Sequence, residues 1–243
     1  MNSYSLSHRA SSILASGPVT KPAKPSLSAN AFESPRAITK RAQILRAARG
    51  VVAEGGFRDL QMNAVAAAAG VAVGTIYRYF PSRAELCAAV VSITSQRELD
   101  VLAAVAATDD PAPRKLCDAV RTFAARALRG RRLAYALIAE PIDPEVEGTR
   151  LRYRRAIGEV FEGIIREGIG AGVFRPLDAE VAGACLVGAF MEGLVGPLAP
   201  DTRGQAARSD AVAASIAELC LAAVANGAPG DHLKRTRRRS AAH

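Results

Sequence analysis

Eight basic side chains, Arg36, Lys40, Arg41, Arg46, Arg49, Arg58, Arg78 and Arg83, fall within residues 36–83 against only two acidic ones. Cations at this density can each meet a phosphate and release its counterions, which is polyanion chemistry. A charge run by itself is more often a solvated face, so it gains meaning only from the elements that carry it. The other chemistries thin out quickly. The three histidines, His8, His232 and His243, lie near the chain ends, so the middle of the chain has none. This speaks against Ser-His-Asp and Cys-His nucleophile systems and against His-ligated zinc. Cys87, Cys117, Cys185 and Cys220 are widely spaced with no C-x-x-C pair, the pattern of ordinary buried thiols in a reducing compartment. Cys87 is the one close to basic residues, the setting that lowers a thiol pKa.

The net charge of +9 over 243 residues is unevenly placed. Residues 1–35 carry +2, residues 36–83 carry +6, residues 84–230 carry −3 and residues 231–243 carry +4. Arg greatly outnumbers Lys, aromatics make up 5%, and 49% of residues are apolar, enough for a sizeable core with helical bias. We expect an all-α chain of about nine helices. Residues 1–35, rich in Ser, Ala and Pro, read as a disordered arm without the continuous apolar run of a secretory signal, and 231–243 as a basic disordered tail.

Helical periodicity places the first helix from about Ile38 to Glu54, stopped by Gly55-Gly56. Ser82-Arg83-Ala84-Glu85 has the spacing of a capping box and opens a helix reaching about Ala106. Further helices follow Asp109-Asp110-Pro111, Gly130, Asp143-Pro144-Glu145, Asp178 and Ser209. The stretch Val181 to Ala199 is apolar nearly all round, but Glu192 and Pro197 interrupt it and its unbroken run of eleven residues is too short to span a membrane. Its small residues, with the stripe Val212, Ile216, Leu219, Cys220 and Val224, suit close packing against a second subunit in a two-fold four-helix bundle.

Residues 62–81, MNAVAAAAGVAVGTIYRYFP, fit a helix-turn-helix: Val65, Ala69, Val71, Ile76 and Tyr79 take the apolar positions, Ala66 the crossing point and Gly70 the turn. With the preceding helix ending in Gly55-Gly56-Phe57, and Gly74-Thr75-Ile76-Tyr77-Arg78-Tyr79-Phe80 followed by Ser82-Arg83-Ala84-Glu85-Leu86, residues 37–90 resemble the DNA-binding domain of the TetR family of bacterial transcriptional regulators. That resemblance implies a helix-turn-helix domain at 36–83 and a helical effector-binding and dimerisation domain at 84–230. It implies a cytoplasmic homodimer that reads a palindromic operator in double-stranded DNA, represses, and is released by a small-molecule effector, with no cofactor.

The resemblance assigns base contacts to Asn63, Val73, Gly74, Thr75 and Tyr77, with Arg78 also within reach of a base, and phosphate contacts to Thr39 or Lys40, Tyr79 and Arg83. The chemistry agrees: Asn63 can pair with adenine, Arg78 with guanine, and Thr75 can touch a thymine methyl. Two positions depart from the family. Leu60-Gln61-Met62 lacks the usual Ser or Thr cap, and Val73 stands where many members carry Lys, Arg or Gln.

For the effector, the candidates are large or polar residues on apolar helices: Phe123, Tyr135, Glu140, Arg150, Tyr153, Phe161, Met191 and Glu192. Glu192 is the leading one, since a carboxylate in so apolar a helix needs a cation such as Arg150 or a ligand donor. Few aromatics favour an aliphatic or acyl ligand over a flat aromatic one. Two other readings are an enzyme using Glu140, Glu192 or a Cys, and an architectural DNA-binding protein without an effector. The latter predicts a filled second domain with no cavity of roughly 300 Å³ or more.

Overall fold

The computed structural model describes residues 35–200 and 209–226. The expectations for the N-terminal arm, the basic tail and all three histidines fall outside these residues. Nine α-helices occur among the described residues: α1 (Pro35–Gly55), α2 (Met62–Ala69), α3 (Val73–Tyr79), α4 (Arg83–Ala106), α5 (Ala112–Arg129), α6 (Arg131–Ile138), α7 (Pro144–Gly170), α8 (Ala179–Leu198) and α9 (Ser209–Val224). A 3-10 turn, Phe57–Asp59, joins α1 to α2.

The helix starts follow local chemistry. Ser82 Oγ accepts from Glu85 N at 3.1 Å and caps α4, while Asp178 Oδ1 accepts from Val181 N at 3.1 Å and caps α8. Helix α2 begins after Gln61 with no side-chain cap, as the missing Ser or Thr implies. Its C-terminus is better made: Gly70 lies at φ 63°, and the Gly70 and Val71 amides return to the carbonyls of Ala67 and Ala66, a Schellman closure that needs the left-handed residue.

Two apolar cores form. The head core gathers Ile44, Val52, Leu60, Val65, Ile76, Phe80 and Leu86, and it is completed by Leu133 and Ala136 of α6 and Val146 of α7. The second core gathers α5, α7, α8 and α9 around Phe123, Phe161, Phe174 and Phe190, with Leu102 from the far end of α4 and Ile138 from α6. Helices α4, α6 and α7 thus contribute to both.

Where α7 meets α8 the backbones come close, because Gly183 presents no Cβ to the Gly158 carbonyl, which a Cβ would approach to 2.7 Å. Gly168 similarly leaves room for the Phe174 ring. One contact falls outside helical expectation: an antiparallel bridge between Phe174 and Ala225, in which Arg175 N donates to Val224 O at 3.0 Å and Asn226 N to Val173 O at 3.2 Å. It fastens the end of α9 to the α7–α8 loop.

Helix α8 corrects one argument from the sequence. At twenty residues it is long and apolar enough to cross a membrane, so length does not exclude that role. Its packing gives the better reason for the apolarity: Leu186, Val187, Phe190, Met191 and Leu194 are buried in the core. The opposite face, Val181, Ala184, Cys185, Gly188, Ala189 and Glu192, is exposed in the single chain. It is a stripe of mostly small residues at helical spacing.

Candidate nucleic-acid interface and effector cavity

Helix α3 buries Ile76 and presents Gly74, Tyr77 and Arg78 to solvent, three residues spaced to share one face. Tyr77 is 50% exposed, a large ring with no structural use on the outside of a short helix. Asn63, at the start of α2, is exposed as well, and Thr75 is half-buried. Val73 is also half-buried and packs against the head core, so part of its apolar surface is occupied within the protein. Arg78 lies with its guanidinium 5.4 Å from the Tyr79 ring centroid, and Tyr79 itself packs partly into the core. On α1, Thr39 is exposed, and Lys40 Nζ donates to Gln43 Oε1 at 3.0 Å.

Side chains of α1 hold the unit in place. Gln43 Nε2 donates to Ala69 O at 2.7 Å, closing on the turn, and the Arg41 guanidinium lies 4.9 Å over the Phe80 ring. The basic cluster of the sequence therefore divides into cations that build the head and cations left for solvent.

Arg83, expected at a phosphate, belongs by its partners to the first group. Its Nε donates to Leu60 O at 2.9 Å, its Nη2 to Phe57 O at 2.6 Å, and its Nη1 pairs with Asp143 at 2.9 Å. All three nitrogens are engaged inside the chain. Glu140, an expected effector residue, accepts from Phe57 N at 2.9 Å and pairs with Arg132, whose guanidinium also donates to Gly55 O; it lines the cleft at this joint and not the cavity described below. Gly56, between these partners, has φ 83° and ψ −174°, a conformation essentially restricted to glycine. A Cβ there would also run into Arg132 and Glu140. Together these residues form a polar joint between the head and α4, α6 and the start of α7.

The second domain contains a cavity of about 240 Å³ whose walls come from α1, α4, α5, α6, α7 and α8. Four of the expected residues line it: Phe123, Arg150, Tyr153 and Met191. Three others do not. Tyr135 faces the cleft at the polar joint, Phe161 is fully buried with its ring 5.4 Å from that of Phe190, and Glu192 is exposed beside Arg154 and Arg155 in a surface groove. Glu192 needs no buried partner because it is not buried; the apolar helix around it has a second, open face. Sequence reasoning missed Arg49 and Thr94, both of which line the cavity. Thr94 had a signal: it falls four and three residues after the buried Val90 and Val91, a polar residue on an apolar stripe.

Cys87 is an ordinary buried thiol, and its basic neighbours do not lower its pKa. Its thiol is pushed up to about 11, because desolvation outweighs the nearby Arg83. Among the described residues no group of three or more His, Cys, Asp or Glu is arranged to hold a metal ion.

A helix-turn-helix head is thus joined through shared helices to a helical bundle, with a cavity walled by both. Residues 44–90 match the family model of bacterial regulatory proteins of the tetR family. The transcriptional repressor KstR of Mycolicibacterium smegmatis is 51% identical over 47 residues, 19% of this chain and 23% of that protein. The likeness thus spans under a quarter of the curated relative's length. Over the whole fold, the fatty acid degradation regulator FadR from Bacillus halodurans superposes with a TM-score of 0.67 at 23% identity, covering 82% of this chain and 98% of that one. FadR from Bacillus subtilis, solved in complex with stearoyl-CoA, superposes with a TM-score of 0.65 at 23% identity, covering 74% and 97%.

Proposed function

We propose that this protein is a ligand-responsive transcriptional repressor that acts in the cytoplasm as a homodimer on a two-fold operator. The observation that carries the reading is the junction of an exposed α3 face with a cavity-bearing domain through shared helices. Asn63, Gly74, Thr75, Tyr77 and Arg78 supply base contacts, and Thr39, Lys40 and Tyr79 supply phosphate contacts. The exposed small-residue stripe of α8, beside α9 with its 65% exposed Leu219, supplies the dimer face. No catalytic role is assigned to any residue. The name of the KstR relative supports repression over activation.

An effector would act by population shift, binding one arrangement of the heads more tightly than the other. Two heads must meet half-sites about 34–36 Å apart, or a further turn, so a small change in separation releases one of them. An aliphatic or acyl effector agrees with the largely apolar cavity wall, and the stearoyl-CoA bound to the Bacillus subtilis neighbour agrees with that class. The cavity falls somewhat below the volume expected of a drug-sized site, roughly 300 Å³. By volume alone it fits a purely architectural protein as well, and loss of the footprint on addition of an effector is what separates the two.

Footprinting on the DNA upstream of the gene tests the reading. A protected site with two-fold symmetry, lost on addition of an effector, is expected; a footprint without symmetry would refute the dimer. Replacing Tyr77 with Ala should weaken operator binding by about 1–3 kcal/mol. It should leave stability within about 0.5 kcal/mol, because the ring is on the surface. Gel shift and thermal unfolding read the two numbers separately.

A further inference from the structure

We propose that the cavity is an oxyanion site, in which Arg49, Thr94 and Arg150 hold the carboxylate or phosphate of an effector whose apolar body lies against Phe123, Ile157 and Met191. The proposal rests on the ligand-responsive reading above and adds to it the chemical class of the ligand and the place of its charge.

Among the described residues, four buried side-chain nitrogen or oxygen atoms have no hydrogen-bond partner within the protein. Three of them, Arg49 Nε, Thr94 Oγ1 and Arg150 Nε, belong to residues lining this one cavity. The fourth, Arg132 Nη1, lies in the ion pair with Glu140. Buried polar atoms left without partners are costly and rare, so three at one cavity mark a place where something else supplies the acceptor. Thr94 is 5% exposed and Arg150 8%, so bulk water does not solvate them freely.

Charge specifies the acceptor. Five arginines line the cavity against one carboxylate, Glu98. Glu98 is already taken by Arg126, whose Nε and Nη2 donate to it at 2.6 and 2.9 Å. Arg150 has one ion pair, with Glu147 at 3.0 Å, and its Nη2 donates to Ala136 O and Glu140 O. Desolvation nonetheless depresses its pKa, the mark of a buried cation incompletely compensated. An oxyanion would accept from the remaining Nε atoms and from the threonine hydroxyl; a neutral or cationic group would not offset the excess positive charge. The 240 Å³ volume suits a small anion or the charged end of a medium chain.

The placement also makes the site regulatory. Arg49 is on α1 of the head, Thr94 is on α4 and Arg150 is on α7. A bound oxyanion would bridge the head to the helical domain, so its affinity depends on their relative position, and by linkage its binding biases that position.

Calorimetric titration of the full chain with octanoate, octanol and inorganic phosphate tests this. Octanoate should bind roughly ten- to a hundredfold more tightly than octanol, the span of a charged hydrogen-bonded contact. Arg49→Met, Arg150→Met and Thr94→Val should each reduce that preference while octanol binding is kept. Thr94→Val, being isosteric, keeps the test decisive if Arg150→Met fails to fold. Phosphate that competes with octanoate shows that the oxyanion alone suffices; phosphate that does not bind, with octanoate bound, shows that the apolar body is required, and both support the site. Equal affinity for octanoate and octanol, no binding of either anion, or a preference that survives Arg49→Met and Thr94→Val overturns it. Footprinting of the ligand-free protein separates the two readings: operator protection without anion preference removes the oxyanion site alone, whereas no protection removes the repressor.

Discussion

Replacing Arg83 with Ala should destabilise the protein by about 2–3 kcal/mol, the scale of losing charge-assisted bonds to two carbonyls. The slope of DNA affinity against salt should stay unchanged. The half-exposed pair with Asp143 adds little to this figure, about 0–1 kcal/mol. The larger loss is at Phe57 O and Leu60 O, which Arg83 holds at 2.6 and 2.9 Å and which have to lie where α2 can start. Without the fork the 3-10 turn loosens, and with it the entry into the DNA-reading unit. A lysine at 83 supplies one point charge instead of a planar fork and should restore only part of the loss. Urea unfolding gives the stability, and gel shift at several salt concentrations gives the slope. A slope reduced by about 0.9, one phosphate's worth, with stability unchanged would return Arg83 to the DNA contacts.

Replacing Ala189 with Arg should convert the protein to a monomer and lower operator affinity by about 10²–10⁴, the advantage of two linked contacts over one. Ala189 lies on the exposed stripe of α8 with Cys185, Gly188 and Glu192, so the single chain can accept a longer side chain there. A second α8 laid against that stripe could not, since two-fold symmetry brings the same charge from both sides into an apolar contact. Monomer stability should therefore be nearly unaffected. Sedimentation reads the assembly and gel shift the affinity. A variant that remains dimeric places the interface elsewhere.

Much of the fold was legible because it is written locally. Ser82 and Asp178 announce α4 and α8 by capping, Gly70 announces the turn, and apolar periodicity locates the helices between them. The α3 face was legible for the same reason, since a buried Ile76 fixes where Gly74, Tyr77 and Arg78 must point. What escaped depends on partners distant in sequence. Arg83 meets Asp143 sixty residues away, and Glu140 meets the Phe57 amide across eighty-three, so a list of cations and carboxylates could not tell which were already spoken for. The Phe174–Ala225 bridge is likewise a single pairing with no strand pattern to betray it. Glu192 failed for a different reason. A carboxylate in so apolar a helix reads as buried and in need of a partner, whereas it lies on the face of α8 that the single chain leaves open. The cavity was half legible: Phe123, Arg150, Tyr153 and Met191 stood out by type, while Arg49 was hidden among the basic residues of the head.

The sharing of α4 and α6 between two cores bears on how such a protein can be taken apart. Leu86, Cys87, Val90 and Val91 of α4, with Leu133 and Ala136 of α6, close the head's interior from outside residues 36–83. A fragment cut at residue 83 would carry the DNA-reading surface but leave a wall of its core missing. Transplanting that head onto another sensor would therefore require α6 and the first turns of α4 to travel with it, making the exchangeable unit discontinuous in sequence. Unfolding should also be a single cooperative event, since neither half can lose its interior without opening the other.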